Sequence, residues 1–215
     1  MPMLRSSEHP SRGPCRAAFL SALTLLCTVA GARAQAVTEE QILAALSPRP
    51  LTRGLTLGVR GDAGSEGRAF LDTLRNRTGL SDTERERLAA AAADRPSIDL
   101  DVPFAYNSAQ IGPKALPVVK VLGATLSRPQ MSGSVILIVG HTDANGSDHG
   151  NQVLSERRAE AVKQYIVHNY GVPAANLVAV GYGKRHLKDA ARPTAPENRR
   201  VTAVNMSAVK SASRE

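Results

Sequence analysis

The sequence predicts an α/β fold of the mixed (α+β) kind, a sandwich with helices packed on a small mixed β-sheet. Three observations predict it. Short runs rich in β-branched and aliphatic residues recur from Ser97 onward, near 98–102, 135–140, 177–182 and 201–206. Two longer segments, 113–127 and 151–169, lie between them and read as helices, the first opening on Pro113 and the second amphipathic. Turn residues punctuate every junction. Elements that alternate in this way bury their apolar faces by laying helices across a sheet.

Residues 1–34 read as a secretory signal. Arg5, Arg12 and Arg16 form a basic start, and Ala17 to Ala32 is an uncharged, mostly apolar run of 16 residues. Ala32-Arg33-Ala34 has the small-x-small form of a cleavage site. A run of this length is short of the roughly 20 residues that a spanning helix needs; an uncleaved anchor is the alternative. Both cysteines, Cys15 and Cys27, lie in this segment. Leu26 and Pro14 precede them, where a lipidated cysteine wants a small residue. The whole chain has 215 residues and a formal net charge of +8. Removal of 1–34 takes away four Arg and one Glu and leaves 23 basic and 18 acidic residues, a net of +5.

Residues 35–96 are expected to be a linker with short helices, partly disordered. Thr38 with Gln41 forms a capping box for a helix ending near Leu46, and Ser47 to Pro50 breaks it. Five glycines between Gly54 and Gly67 mark a flexible stretch. A short helix is expected from Phe70 to Arg77, ended by Gly79. Ser81 with Glu84 forms a second capping box, opening an Ala-rich helix to about Asp94. This segment could recruit a partner protein of the cell envelope.

The texture changes at Ser97. Ile98, Leu100 and Val102 alternate with Asp99 and Asp101, as in a half-buried strand. Pro113 suits the first turn of the next helix, although Pro117 allows a later start. Val135 to Gly140 is almost continuously apolar, as in a central strand. A polar loop and the helix 151–169 follow, and Gly171-Val172-Pro173 ends that helix. Leu177 to Tyr182 and Val201 to Met206 supply the last strands. The domain is drawn at 97–207, with 208–215 a disordered tail.

One residue of the long helix is out of place. At about 100° per residue, Leu154, Arg158, Ala161, Val162 and Tyr165 share a face. Arg158 thus lies within an apolar stripe, near a helix N-terminus that disfavours a cation. A guanidinium there needs compensation, and Asp143 in the preceding loop is the nearest candidate anion in sequence. An Arg and an Asp held apart at the mouth of a cleft would clamp a zwitterion.

Several ordered pieces together resemble the OmpA-like C-terminal domain, which also occurs in the peptidoglycan-associated lipoprotein and in the flagellar stator protein MotB. Phe104 with Ser108-Ala109 follows the first strand. Gly140-His141-Thr142-Asp143 with Gly146 ends the second, and Asn151, Leu154-Ser155 and Arg158-Ala159 lie on the helix. Gly181-Tyr182-Gly183 ends the third strand, and Asn198-Arg199-Arg200-Val201 enters the last. The sequence departs from the pattern at Thr194-Ala195-Pro196-Glu197, where many members carry a Gly-Arg pair. The resemblance covers about half the chain. It implies an OmpA-like two-layer sandwich that binds peptidoglycan without covalent chemistry, through the diaminopimelate of the stem peptide. It implies that Asp143 takes the ammonium and Arg158 the carboxylate. Thr142 and Asn151 would shape the loop or hydrogen-bond the ligand. Leu154 and Phe104 would pack beside the site, and Asn198 and Arg200 would come close to it. The implied place is the periplasm or cell envelope, with an outer-membrane association.

Other chemistries fit less well. His141, Asp143, Asp148 and His149 match no zinc spacing, so no metal and no cofactor are expected. No GxSxG is present, and a chain cut after Ala34 has no cysteine, so catalysis is not expected. The basic residues are scattered and aromatics make up only 3% of the chain, which argues against nucleic acid as the partner. A stator would need a spanning helix bearing an acidic residue.

Overall fold

The computed structural model describes residues 37–47, 73–74 and 79–207. The expected signal segment 1–34, the glycine-rich stretch and the tail 208–215 lie outside the described residues. Of the helix expected at 70–77, only Thr73 and Leu74 are described, and both are helical. Among the described residues no helix is long and apolar enough to cross a membrane.

Helix α1 spans Glu39–Leu46 and α2 spans Asp82–Ala92. Each opens on the capping box read from the sequence. Thr38 Oγ1 accepts from the Gln41 backbone at 3.3 Å, and Gln41 Oε1 accepts from the Thr38 backbone at 2.9 Å. Ser81 and Glu84 repeat the exchange at 3.2 and 2.8 Å. Strand β1 is Ser97–Leu100, followed by α3 at Leu116–Leu126 and β2 at Ile136–Gly140. The long helix α4 runs Asp148–Tyr170, then come β3 at Leu177–Gly181 and β4 at Val201–Asn205.

Strand β1 ends at Leu100, short of the expected Val102, and two helix starts differ from the expected ones for local reasons. Helix α3 starts at Leu116, with Pro117 in its first turn, where the missing N–H breaks no helical bond. Helix α4 starts three residues early because Ser147 caps it, its Oγ accepting from the Gly150 backbone at 3.1 Å.

The sheet order is β1-β4-β2-β3. Strand β4 is antiparallel to both β1 and β2, while β2 and β3 are parallel and joined through α4. The sheet is mixed, and β2 is buried along its whole length. On one face Ile136, Ile138, Leu177, Val201 and Ala203 join α1, α3 and α4 in the main core. On the other, Leu137, Val139, Val178, Val180 and Val204 pack with Leu80 and Leu88 around α2.

Helices α1 and α2 are therefore part of the packing. Ile42 and Leu46 are fully buried against α3 and the sheet. Asn205 Nδ2 donates to the Leu46 carbonyl at 2.9 Å, and Arg128 pairs with Glu39 at 2.5 Å. Arg85 of α2 reaches Glu156 of α4 at 3.0 Å. The apolar faces of both helices pack on the chain's own sheet.

The buried face of α4 is rotated from the one drawn by periodicity. Asn151, Ser155, Arg158, Ala159, Val162 and Ile166 are buried, while Leu154, Ala161 and Tyr165 are half-buried. Small polar residues take the inner positions because glycines face them. A Cβ on Gly140 would stand 2.2 Å from the Ser155 carbonyl, and one on Gly181 would stand 2.3 Å from Ser155 Oγ. These glycines are register partners in β2 and β3. Together they let α4 lie directly on the strand ends.

Candidate functional site

Seating α4 on two glycines brings Arg158, one turn beyond Ser155, to the end of the sheet where β1 and β2 finish and β4 begins. A cleft of about 530 Å³ opens there. The loop after β2 forms one wall. Thr142 N–H donates to the Gly183 carbonyl at 2.9 Å and Ala144 N–H to the Pro193 carbonyl at 3.0 Å. Asp143 Oδ1 accepts from the Asn145 backbone at 3.1 Å, and Gly146 turns the chain at φ 86°. Asn151 Nδ2 donates to the Asn145 carbonyl at 2.7 Å, tying the loop to α4. The loop after β1, carrying Phe104, forms the opposite wall.

Six of the eight residues singled out in the sequence line this cleft: Phe104, Thr142, Asp143, Asn151, Leu154 and Arg158. Arg158 is 6% exposed. Its Nε donates to the Ser108 carbonyl at 3.0 Å and one Nη to the Ala105 carbonyl at 3.3 Å. Its guanidinium carbon sits 4.9 Å from the Phe104 ring centre. Two carbonyls and a π-face thus hold the buried cation. Asp143, the candidate anion of the preceding loop, is held apart from Arg158 and acts on it through space. Burial, followed by the Arg199 charge, pulls the Arg158 pKa down, while Asp143 pushes it up. The Thr142 hydroxyl is buried and has no hydrogen-bond partner among the described residues.

Asn198 and Arg200 are not in the cleft. Asn198 is fully buried. Its Nδ2 donates to the carbonyls of Asp189, Arg192 and Pro193, and its Oδ1 accepts from the Asp189 backbone, so it holds the loop before β4 together. Arg200 turns to Asp99, at 3.3 Å, and to the His186 carbonyl, at 3.2 Å. The residue between them lines the cleft instead: Arg199 Nη1 meets Asp143 Oδ2 at 2.7 Å. Asn198 closes a single 3-10 turn, Pro196–Asn198, and stays with it, while Arg199 is extended, so that Arg200 after it points the other way. The need of Asp143 for a cation was the signal, and it did not choose between Arg199 and Arg200.

The cleft thus holds two guanidinium groups and one carboxylate. Asp143 keeps lone pairs free after its two bonds, so it can accept from a further donor. The arrangement suits a ligand carrying an ammonium beside a carboxylate, with a surplus of negative charge. The remaining His and Asp residues of the 141–149 segment go elsewhere. His141 packs edge-on against Tyr182, Asp148 pairs with Lys184 at 2.6 Å, and His149 is exposed. Among the described residues no three His, Cys, Asp or Glu gather where a metal could sit.

The sequence model of the OmpA family matches residues 103–201. Outer membrane porin F of Pseudomonas aeruginosa is 36% identical over 94 residues, 44% of this chain and 26% of that protein. The peptidoglycan-associated lipoprotein of the same species is 40% identical over 81 residues, 38% of this chain and 46% of that protein. This chain therefore spans about a quarter of the one relative and under half of the other. Among solved structures, the OmpA-like domain of FopA1 from Francisella tularensis is similar at 25% identity and a TM-score of 0.44, covering 56% of this chain and 79% of that one.

Proposed function

We propose that this chain, whose residues 103–201 form an OmpA-like domain, binds peptidoglycan without covalent chemistry and so anchors or organises the cell envelope. Residues 1–34, read as an export signal, would carry it to the periplasm, where the wall lies. The ligand group is the diaminopimelate of the stem peptide. Its side chain ends in an ammonium and a carboxylate on one carbon. The observation that carries the reading is the cleft's own charge pattern, with Asp143, Arg158 and Arg199 facing one volume. In support, one of the relatives is named for its association with peptidoglycan.

Each residue has a task in this reading. The Arg158 fork grips the carboxylate, while its two backbone bonds fix its direction. Asp143 takes the ammonium on lone pairs not used by Asn145 and Arg199. The Thr142 hydroxyl donates to the ligand, Asn151 keeps the loop in shape, and Leu154 and Phe104 close the sides. Charged hydrogen bonds contribute roughly 1.5–3 kcal/mol each, which gives one clamp modest affinity. Many stem peptides in one wall raise the apparent strength by rebinding.

Co-sedimentation with diaminopimelate-type sacculi tests this. Arg158→Lys keeps the charge and loses the fork. Asp143→Asn keeps the shape and loses the charge. At about 0.5 M salt, with general attraction screened, wild type is expected in the pellet and both variants, folded by circular dichroism, in the supernatant. Equal pelleting of all three at that salt would put the binding outside the clamp, and joint loss of all three as salt rises would reduce it to general attraction of a basic protein to an anionic wall. No pelleting of wild type at any salt would remove the wall as the ligand.

A further inference from the structure

Tyr106 is the one large apolar side chain among the described residues that is fully exposed. It stands on the rim of the cleft described above. The loop that carries it is built firmly. Arg158 spans the turn from below, bonding the carbonyls of Ala105 and Ser108 on either side of Tyr106 and Asn107. Ser108 N–H closes the turn onto the Ala105 carbonyl at 3.1 Å, and Asn107 takes the left-handed conformation at φ 49°. A left-handed Asn is a turn former that fixes the path of the chain. The ring is thus held out on a braced turn whose backbone has little freedom to fold it back.

We infer that Tyr106 is a stacking platform for a hexosamine ring of the glycan strand, forming a saccharide subsite beside the cleft. This rests on the peptidoglycan reading and extends it from the stem peptide to the sugar. An aromatic face is electron-rich, and the axial C–H bonds of a pyranose face are slightly positive. The two surfaces therefore attract once both are stripped of water. Tyr has two side-chain torsions and offers its area at low entropic cost. In the wall, two residues separate diaminopimelate from the lactyl-bearing sugar. The clamp grips the far end of diaminopimelate, so the rest of that residue and the lactyl group add to those two, and the path comes to about five residue lengths, roughly 17 Å at most; a stem seated in the cleft can therefore lay its sugar on the rim, where Tyr106 stands.

The same cleft accounts for the position of the ring. Arg158 grips the ligand carboxylate and the Tyr106 turn with one guanidinium, so seating of the stem peptide and presentation of the ring depend on a single anchor. Phe104, two residues earlier, is taken up by that guanidinium. Tyr106 is the aromatic left free for the ligand.

Isothermal titration calorimetry of the full chain tests the inference with two ligands. One is the diaminopimelate-containing stem tripeptide; the other is the same tripeptide on its N-acetylated disaccharide. Wild type is expected to bind the disaccharide form about three- to tenfold more tightly, the size of an aromatic contact. Tyr106→Ala is expected to erase that preference and leave tripeptide affinity within about twofold, and Tyr106→Phe to keep it. A wild type that binds both ligands equally overturns the inference and leaves the peptidoglycan reading standing. So does a Tyr106→Ala variant that weakens both equally or neither. A wild type that binds neither ligand overturns both.

Discussion

At residue 141 an imidazole is held neutral by its surroundings. His141 is 5% exposed and its Nδ1 has no partner among the described residues. Burial, then the Arg200 charge, opposes protonation, and His186 adds to this. Asp99 and the Arg185 backbone favour the cation and lose, so the pKa is pushed down to about 3. The unfolded chain takes up its proton first, near the ordinary value of about 6.5. The stability that His141 contributes is therefore complete above about pH 6.5 and is lost as pH falls toward 3, at up to about 1.4 kcal/mol per pH unit. Urea unfolding between pH 7 and 4 should show a steep decline for wild type. For His141→Phe, which cannot protonate, the decline should be shallower. Parallel curves would mean that other groups, such as Asp99, set the acid limb.

At the scale of elements, two contacts decide where the site is built. Gly181 lets α4 sit on β3. Gly181→Ala would drive a methyl against Ser155 and the Glu156 backbone, and overpacking of this kind costs about 1–3 kcal/mol. Because the helix itself must shift, Arg158 shifts with it. The variant should lose ligand affinity as well as stability, which calorimetry against the stem tripeptide would show. Helix α1 makes the second contact. Ile42→Ala empties a fully buried position between α1 and the core and should cost about 2–5 kcal/mol in urea unfolding. A linker helix lying free of the domain would give a change near zero.

These elements were not equally legible in the sequence. The capping boxes of α1 and α2 depend on residues three apart, and local chemistry of that range is plain in the letters. The strands carried their own apolar runs. Packing of α1 and α2 against the sheet was not legible, because Leu46 meets Asn205 from the far end of the chain. The cleft was half legible. Arg158 announced itself as a cation on an apolar face, but its true partners are backbone carbonyls at 105 and 108, which no side-chain pattern reveals. Arg199 was hidden by its neighbour Arg200, since the choice between them turns on which way the chain faces as it enters β4.

For the molecule as a whole, net charge and specific recognition pull in directions that can be separated. With 1–34 removed the chain carries +5, and a basic protein is drawn to an anionic wall whatever its cleft contains. Asp143→Asn makes the chain one unit more positive and frees Arg199 from its carboxylate partner. General attraction should therefore strengthen in this variant, while the clamp should weaken. Salt distinguishes them further, because the screening length falls from about 10 Å at 0.1 M to about 3 Å at 1 M. Attraction between surfaces fades over that range. A carboxylate gripped inside the cleft by a buried guanidinium is screened much less. At low salt the two proteins should pellet with sacculi to similar extents, general attraction masking the loss of the clamp. At about 0.5 M salt, with that attraction screened, wild type should remain in the pellet and Asp143→Asn should leave it. If both leave together as salt rises, charge alone holds the chain to the wall, and the geometry around Arg158 serves the fold of the Phe104 loop without serving a ligand.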